Sequence, residues 1–193
     1  KDIAADVVQE ILKSFIRSLP GIPAKGVGEF SKALAKPIEH LRLNESVENI
    51  SKNRVVTGHG QYTAKFIVVA AGPIASGELL KKAAPIKMLS STTSYFSTDE
   101  TLIDASNLVI SKGSNLVNSI VISEVSKKYA PSGKSLISAT SIKELSESDF
   151  RAELSKIWKS DTNNWNHVAR YEIKNSLPLH TPGKNRYPNL QLD

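Results

Sequence analysis

The chain holds four histidines, His40, His59, His167 and His180, and no cysteine. These are the side chains from which transition-metal sites and activated nucleophiles are commonly built. The histidines stand far apart, none with a second ligand at metal-binding spacing, so no metal site is read from them. Without cysteine there are no disulfides, thiolate ligands or cysteine nucleophiles. No serine occupies the strand-to-helix elbow that exposes a nucleophile, although composition alone leaves a Ser-His-Asp arrangement open. Two glycine motifs also fail on context. Gly26-Val27-Gly28 begins like a dinucleotide loop, but Ser31 stands at the third glycine position, and Pro20 and Pro23 replace the strand that should precede it. Ser132-Gly133-Lys134-Ser135 ends like a phosphate loop, but Lys128 stands where its first glycine belongs and a strand pattern follows. No catalytic residue is assigned.

Composition narrows the field of functions. With 193 residues the chain can bury a core, and its 40% hydrophobic and 23% charged content is that of an ordinary globular protein. A net charge of +6 and a pI near 9.4 raise the question of nucleic acid. The basic residues are spread thinly, densest only at Lys81-Lys82 and Lys127-Lys128, and 6% aromatics do not interleave with them. A solvated basic surface is the reading, with no nucleic-acid partner. No run reaches the roughly 20 apolar residues of a membrane span, and no secretory signal is present. A cytoplasmic location (or a plastid stroma) is expected, not secretion. The sequence begins at Lys1 and its only methionine is Met88, which predicts a piece of a longer chain.

The elements available to position a site are these. Ile3, Val7, Ile11 and Phe15, flanked by Val8, Leu12, Ile16 and Leu19, predict an amphipathic helix over 3–19 ended by Pro20-Gly21. A second helix is expected over 27–36 with Val27, Phe30 and Leu34 inward and Pro37 as its stop. Residues 41–71 read as short strands broken at Gly58-His59-Gly60. The continuous run Phe66–Ala71 suits a strand covered on both faces, with a helix over 74–82 after Gly72-Pro73. Strands follow at 88–97, 108–110, 116–122 and 135–140. Ser146 caps a helix whose stripe is Phe150, Leu154, Ile157 and Trp158, and a last strand runs from about Trp165 to Ile173 before an irregular tail. The order of elements predicts α+β, a mixed β-sheet with flanking helices.

Five stretches carry a resemblance: Leu19–Ala35 (LPGIPAKGVGEFSKALA), Leu41–Ile50 (LRLNESVENI), Phe66–Pro73 (FIVVAAGP), Tyr129–Ser138 (YAPSGKSLIS), and the series Trp165, Tyr171, Leu177-Pro178. In this order they resemble the flavin-dependent oxidoreductases that include amine oxidases, protoporphyrinogen oxidase and phytoene desaturases. The first is similar to that family's P-x-GGM segment and the third to the strand end written AD-x-VVVA-x-P. The resemblance implies FAD in the full-length parent, with a glycine-rich pyrophosphate loop expected upstream of Lys1 and a GD-containing stretch after Asp193. The chain would then be the middle. Its expected divisions are 1–85, N-terminal helices and partial FAD-domain strands; 86–178, a substrate-binding α+β region; and 179–193, a tail returning to the FAD domain.

By the same resemblance, Val47 meets the adenine end of FAD through its backbone, and Ala70, Ala71 and Gly72 approach the cofactor. Thr93, Tyr95, Val117, Ile120, Trp165 and Tyr171 would line a substrate cavity. Ser90 or Ser91 falls where amine oxidases often carry a lysine, which favours a dehydrogenase or desaturase acting on an apolar or amine-like substrate. Expected partners are a small-molecule substrate, the absent FAD-domain segments of the same chain, and self-association through strands left without neighbours. The isolated chain is expected to be inactive and to lack tightly held FAD. Without the resemblance, the same pattern suits a non-catalytic α+β module with a cleft for a lipid or isoprenoid.

Overall fold

A computed structural model describes residues 3–18, 21–81, 87–102 and 106–183. The chain forms two compact units, one from Lys1–Ser18, Ala35–Met88 and Pro178–Asp193, the other from Leu19–Leu34 and Leu89–Leu177.

The first unit contains helix α1 (Ala5–Arg17), strands β1 (Val47–Ser51), β2 (Arg54–Thr57) and β3 (Gly60–Thr63), and helix α3 (Pro73–Leu80). The strands form an antiparallel meander in the order β1-β2-β3. Lys52-Asn53 and Gly58-His59 are its two-residue loops, and a bulge follows Val47, whose partner is Thr57 while Asn49 pairs Val56. Pro73 opens α3 at the position where its fixed φ and missing N–H cost nothing. Lys81, in the left-handed region at φ 52°, closes it; Lys82 lies outside the described residues. The α1 backbone N-terminus is tied by the Ala4 N–H, which donates to the His180 carbonyl at 2.9 Å.

Two features of this unit stand out. For all the apolar stripe of α1, no residue of the helix is buried and Ile16 is 85% exposed. Phe66–Ala71 was expected as a strand covered on both faces. It belongs to no strand, its backbone makes no backbone hydrogen bond with the described residues, and Phe66 and Val68 are 88% and 89% exposed. Ile67 and Val69 between them are half-buried. The alternation is that of a strand with one face covered, and a doubly covered strand needs layers and neighbours that these residues do not supply.

The second unit is built on strands β4 (Met88–Thr98), β5 (Asn118–Val121), β6 (Ser135–Ser141) and β7 (Asn166–Pro178), in the order β5-β6-β4-β7. The registers of β4 on β6 and of β5 on β6 are antiparallel, so the sheets are antiparallel where a mixed sheet was expected, and the α+β class stands. Among the described residues a single bridge, Val109 to Ser119, represents the strand expected at 108–110. The strand expected over 116–122 stops at Val121, where a short helix α4 (Ile122–Val125) begins. Helix α5 (Glu147–Trp158) covers one face of the sheet. Ser146 accepts the Asp149 N–H and Asp149 accepts the Ser146 N–H, a reciprocal cap that satisfies two orphan donors. Phe150, Leu154 and Trp158 then meet Phe96, Val121, Ile137 and Ala139 in the core, closed by Leu102, Leu116, Leu145 and Trp165. The Trp158 indole N–H donates to Ser119 Oγ at 3.0 Å, and that hydroxyl donates to the Ser138 carbonyl at 3.0 Å.

Helix α2 (Gly28–Ala35) is shorter than expected, and Val27, Phe30 and Leu34, expected inward, are exposed. Spacing reported helix extent, and with no described layer on its apolar side the stripe has nothing to pack against. The preceding segment is held by the Tyr129 hydroxyl donating to the Pro23 carbonyl at 2.8 Å and Ser126 Oγ donating to that of Ala24 at 2.9 Å.

Both tryptophans lie in the second unit's core, so their fluorescence follows its unfolding. In urea titrations Leu154→Ala should lower its stability by about 3 kcal/mol, a cavity in a closed core, and Ser146→Ala by about 1 kcal/mol, a lost cap. An unchanged midpoint for Leu154→Ala would contradict the described core.

Candidate cofactor edge and open sheet face

Within the first unit the residues implied as cofactor-facing lie on neighbouring elements. Val47 begins β1, the outer strand of the meander, and α3, which starts directly after Gly72, packs beside β1. Ala70, Ala71 and Gly72 are exposed. Gly72 has φ +80°, the left-handed region open to glycine, and a Cβ built on it would meet nothing within 4 Å. This is bare, side-chain-poor backbone at the entry to a helix. It fits a cofactor laid against the main chain, as FAD would be held by Val47 and Ala70–Gly72.

Below Val47 sits a polar cluster that the sequence pattern does not single out. Glu45, its side chain 8% exposed, accepts hydrogen bonds at Oε1 from Thr57 Oγ1 at 2.6 Å and the Tyr62 hydroxyl at 2.7 Å. Its Oε2 lies 3.9 Å from the Arg42 guanidinium, which itself stacks over the Tyr62 ring at 4.8 Å. The Thr57 hydroxyl, followed by that of Tyr62, holds the Glu45 carboxyl below the ordinary glutamate range. The same bond to Glu45 raises the Tyr62 phenol. Asn44, at φ 57°, turns the chain just before this clamp.

In the second unit, strand alternation divides β4. Thr92, Ser94, Phe96 and Thr98 are buried toward α5, while Ser91, Thr93, Tyr95 and Ser97 lie on the other face. There Thr93 stands opposite Thr140, their hydroxyls 2.9 Å apart, and Tyr95 opposite Ser138, which is also the partner of Ile120. Tyr171 meets Tyr95 edge-on with ring centres 6.0 Å apart, and Ser91 Oγ donates to Ser176 Oγ at 3.2 Å. Tyr171 and Ser176 differ in strand parity yet share this face. Asn175, at φ 56° inside β7, supplies the slip in phase.

Of the six residues implied for the substrate cavity, Thr93, Tyr95, Ile120 and Tyr171 therefore come together on the open face of the sheet. Trp165 does not: it is 2% exposed, packed in the core under α5. Val117 precedes β5 and is exposed, apart from that group. Thr140, Ser138 and Ser176 were missed by sequence reasoning. Their membership follows from cross-strand register, for which the sequence offers only the alternation of β6.

No family model matches this sequence, and no curated protein matches it. Solved structures do match. A putative protoporphyrinogen oxidase from an Exiguobacterium species aligns with TM-score 0.60 over 82% of this chain and 41% of its own, at 15% identity. Over the aligned residues the fold is that of part of this structure. Reduced UDP-galactopyranose mutase aligns with TM-score 0.59 over 83% of this chain and 42% of its own, at 14% identity. An oxidoreductase from Methanosarcina mazei gives 0.52 over 66% and 35%, at 10% identity. At such identities the likeness is one of fold. The chain spans about two fifths of the length of the first and second of these structures.

The Glu45 cluster has a measurable pH signature. Its folded pKa is lowered, so its contribution to stability is full above the unfolded glutamate value of about 4.3 and is lost as pH falls through the lower folded value. Hydrogen-exchange protection factors in β1–β3, corrected for the intrinsic rate at each pH, should fall over that acid range, and Glu45→Gln should flatten the dependence. Identical acid profiles for wild type and variant would contradict the clamp.

Proposed function

We propose that this chain is the region of an FAD-dependent oxidoreductase that binds substrate and presents one edge of the cofactor site. The observation that carries the reading is the open sheet face bearing Thr93, Tyr95, Ile120 and Tyr171, in a chain with the fold of a putative protoporphyrinogen oxidase. The flavin, when bound, supplies the redox chemistry by accepting hydride. This chain's residues supply the rest. Val47 and Ala70–Gly72 offer backbone to the cofactor, Tyr95, Tyr171 and Ile120 offer apolar area to a substrate, and the Thr93–Thr140 hydroxyls orient its polar end.

The substrate is an apolar or amine-like molecule, and dehydrogenation or desaturation is favoured over amine oxidation with oxygen because Ser90 and Ser91 carry no ammonium group. The remaining partners are the FAD-domain segments of the same polypeptide, in keeping with a chain that covers 41% of its structural neighbour. The divisions 1–85, 86–178 and 179–193 are proposed on the same ground. Apolar residues left bare on α1 and at Phe66 and Val68 would drive self-association when this chain is expressed alone.

Purification of the full-length polypeptide tests the reading. It should carry FAD and show the visible absorption of an oxidised flavin, whereas residues 1–193 alone should not retain FAD through gel filtration. A colourless full-length protein that takes up no added flavin would sink the proposal. Tight stoichiometric FAD on the isolated chain would refute the dependence on absent segments.

A further inference from the structure

We propose that Glu45 is a positioning residue that sets the cofactor-facing edge of β1. The inference rests on the flavin reading above, in which Val47 meets the adenine end of FAD. Glu45 stands two residues before Val47 and crosses the whole meander: one carboxylate oxygen takes hydrogen bonds from Thr57 on β2 and Tyr62 on β3. Thr57 is also the register partner of Val47. The residue that clamps Glu45 is therefore the one whose backbone aligns Val47.

The neighbourhood explains why a clamp is needed. β1 is an outer strand, its register breaks immediately after Val47, and the turn before it passes through Asn44 at φ 57°. A strand end with a left-handed turn on one side and a bulge on the other is held by few ladder bonds. A charged, largely buried acceptor taking two short hydroxyl donors replaces them, since bonds to an ionised carboxylate are shorter and stronger than neutral ones. Tyr62 is fixed in turn by the Arg42 guanidinium over its ring, and the His59 N–H donates to Thr57 Oγ1 at 3.2 Å. The arrangement orients backbone; it touches no reacting atom.

This assignment separates two flavins. FMN lacks the adenosine half of FAD, so loosening Val47 should weaken FAD alone. In the full-length polypeptide, Glu45→Ala should weaken FAD binding about tenfold or more, the scale of losing hydrogen bonds to a charged group, and leave FMN binding unchanged. Glu45→Gln keeps a carbonyl acceptor facing Thr57 and Tyr62 and should restore most of the FAD affinity. Should Glu45→Ala fail to fold, Thr57→Val and Tyr62→Phe each remove one donor and should show the same FAD-selective loss in smaller degree. Equal loss of FAD and FMN in these variants would overturn the inference in favour of a purely structural role, as would FAD affinity that does not change. A wild-type protein that binds FMN and FAD equally well leaves the flavin reading intact but overturns this one. A wild-type protein that binds neither overturns both.

Discussion

The pairing of β4 with β6 is the constraint on which the second unit depends. The register runs without a break from Thr92↔Ser141 to Thr98↔Ser135. Because strand side chains alternate, a one-residue slip would exchange the two faces of the sheet. Phe96 would leave the core and Tyr95 would enter it. The register is held by the burial of Phe96, Ile137 and Ala139 beneath Phe150, Leu154 and Trp158, and by the Trp158–Ser119 hydrogen bond on the neighbouring strand. What remains on the opposite face is fixed as a consequence: two tyrosines in edge contact, a pair of threonine hydroxyls and an isoleucine. The core thus determines the composition of the open face without touching it.

The first unit shows the complementary situation. Its meander is secured by polar contacts around Glu45 more than by apolar burial, since among β1–β3 only Thr57 is buried. The long apolar stripes of α1 and of 66–69 lie mostly in solvent. Apolar stripes of that extent outside a core are more than single scattered surface residues.

How much of this was legible beforehand differs by element. α5 was readable because its cap, Ser146, and its stripe, Phe150, Leu154 and Trp158, are all local signals. β4 was readable from its β-branched and aromatic residues. Helix α1 was readable in extent but not in environment: periodicity says which side is apolar, not whether anything covers it. Phe66–Ala71 failed for the same reason, since a continuous apolar run implies neighbours that must come from elsewhere. The Glu45 clamp joins residues 12 and 17 positions apart, so it exists only once two hairpin registers are set. Trp165 was placed beside Tyr171 through the resemblance alone, and the chain just before β7 turns its indole into the core.

Anaerobic reduction of the flavin in the full-length polypeptide tests the central claim most directly. Mixed with an oxidisable amine or apolar substrate, the flavin should lose its visible absorption, and Tyr171→Ala should shift the dependence on substrate concentration while the flavin remains bound. A flavin that stays oxidised with every such substrate, or a Tyr171→Ala protein that bleaches with unchanged concentration dependence, would contradict the assignment of the open sheet face as the substrate surface.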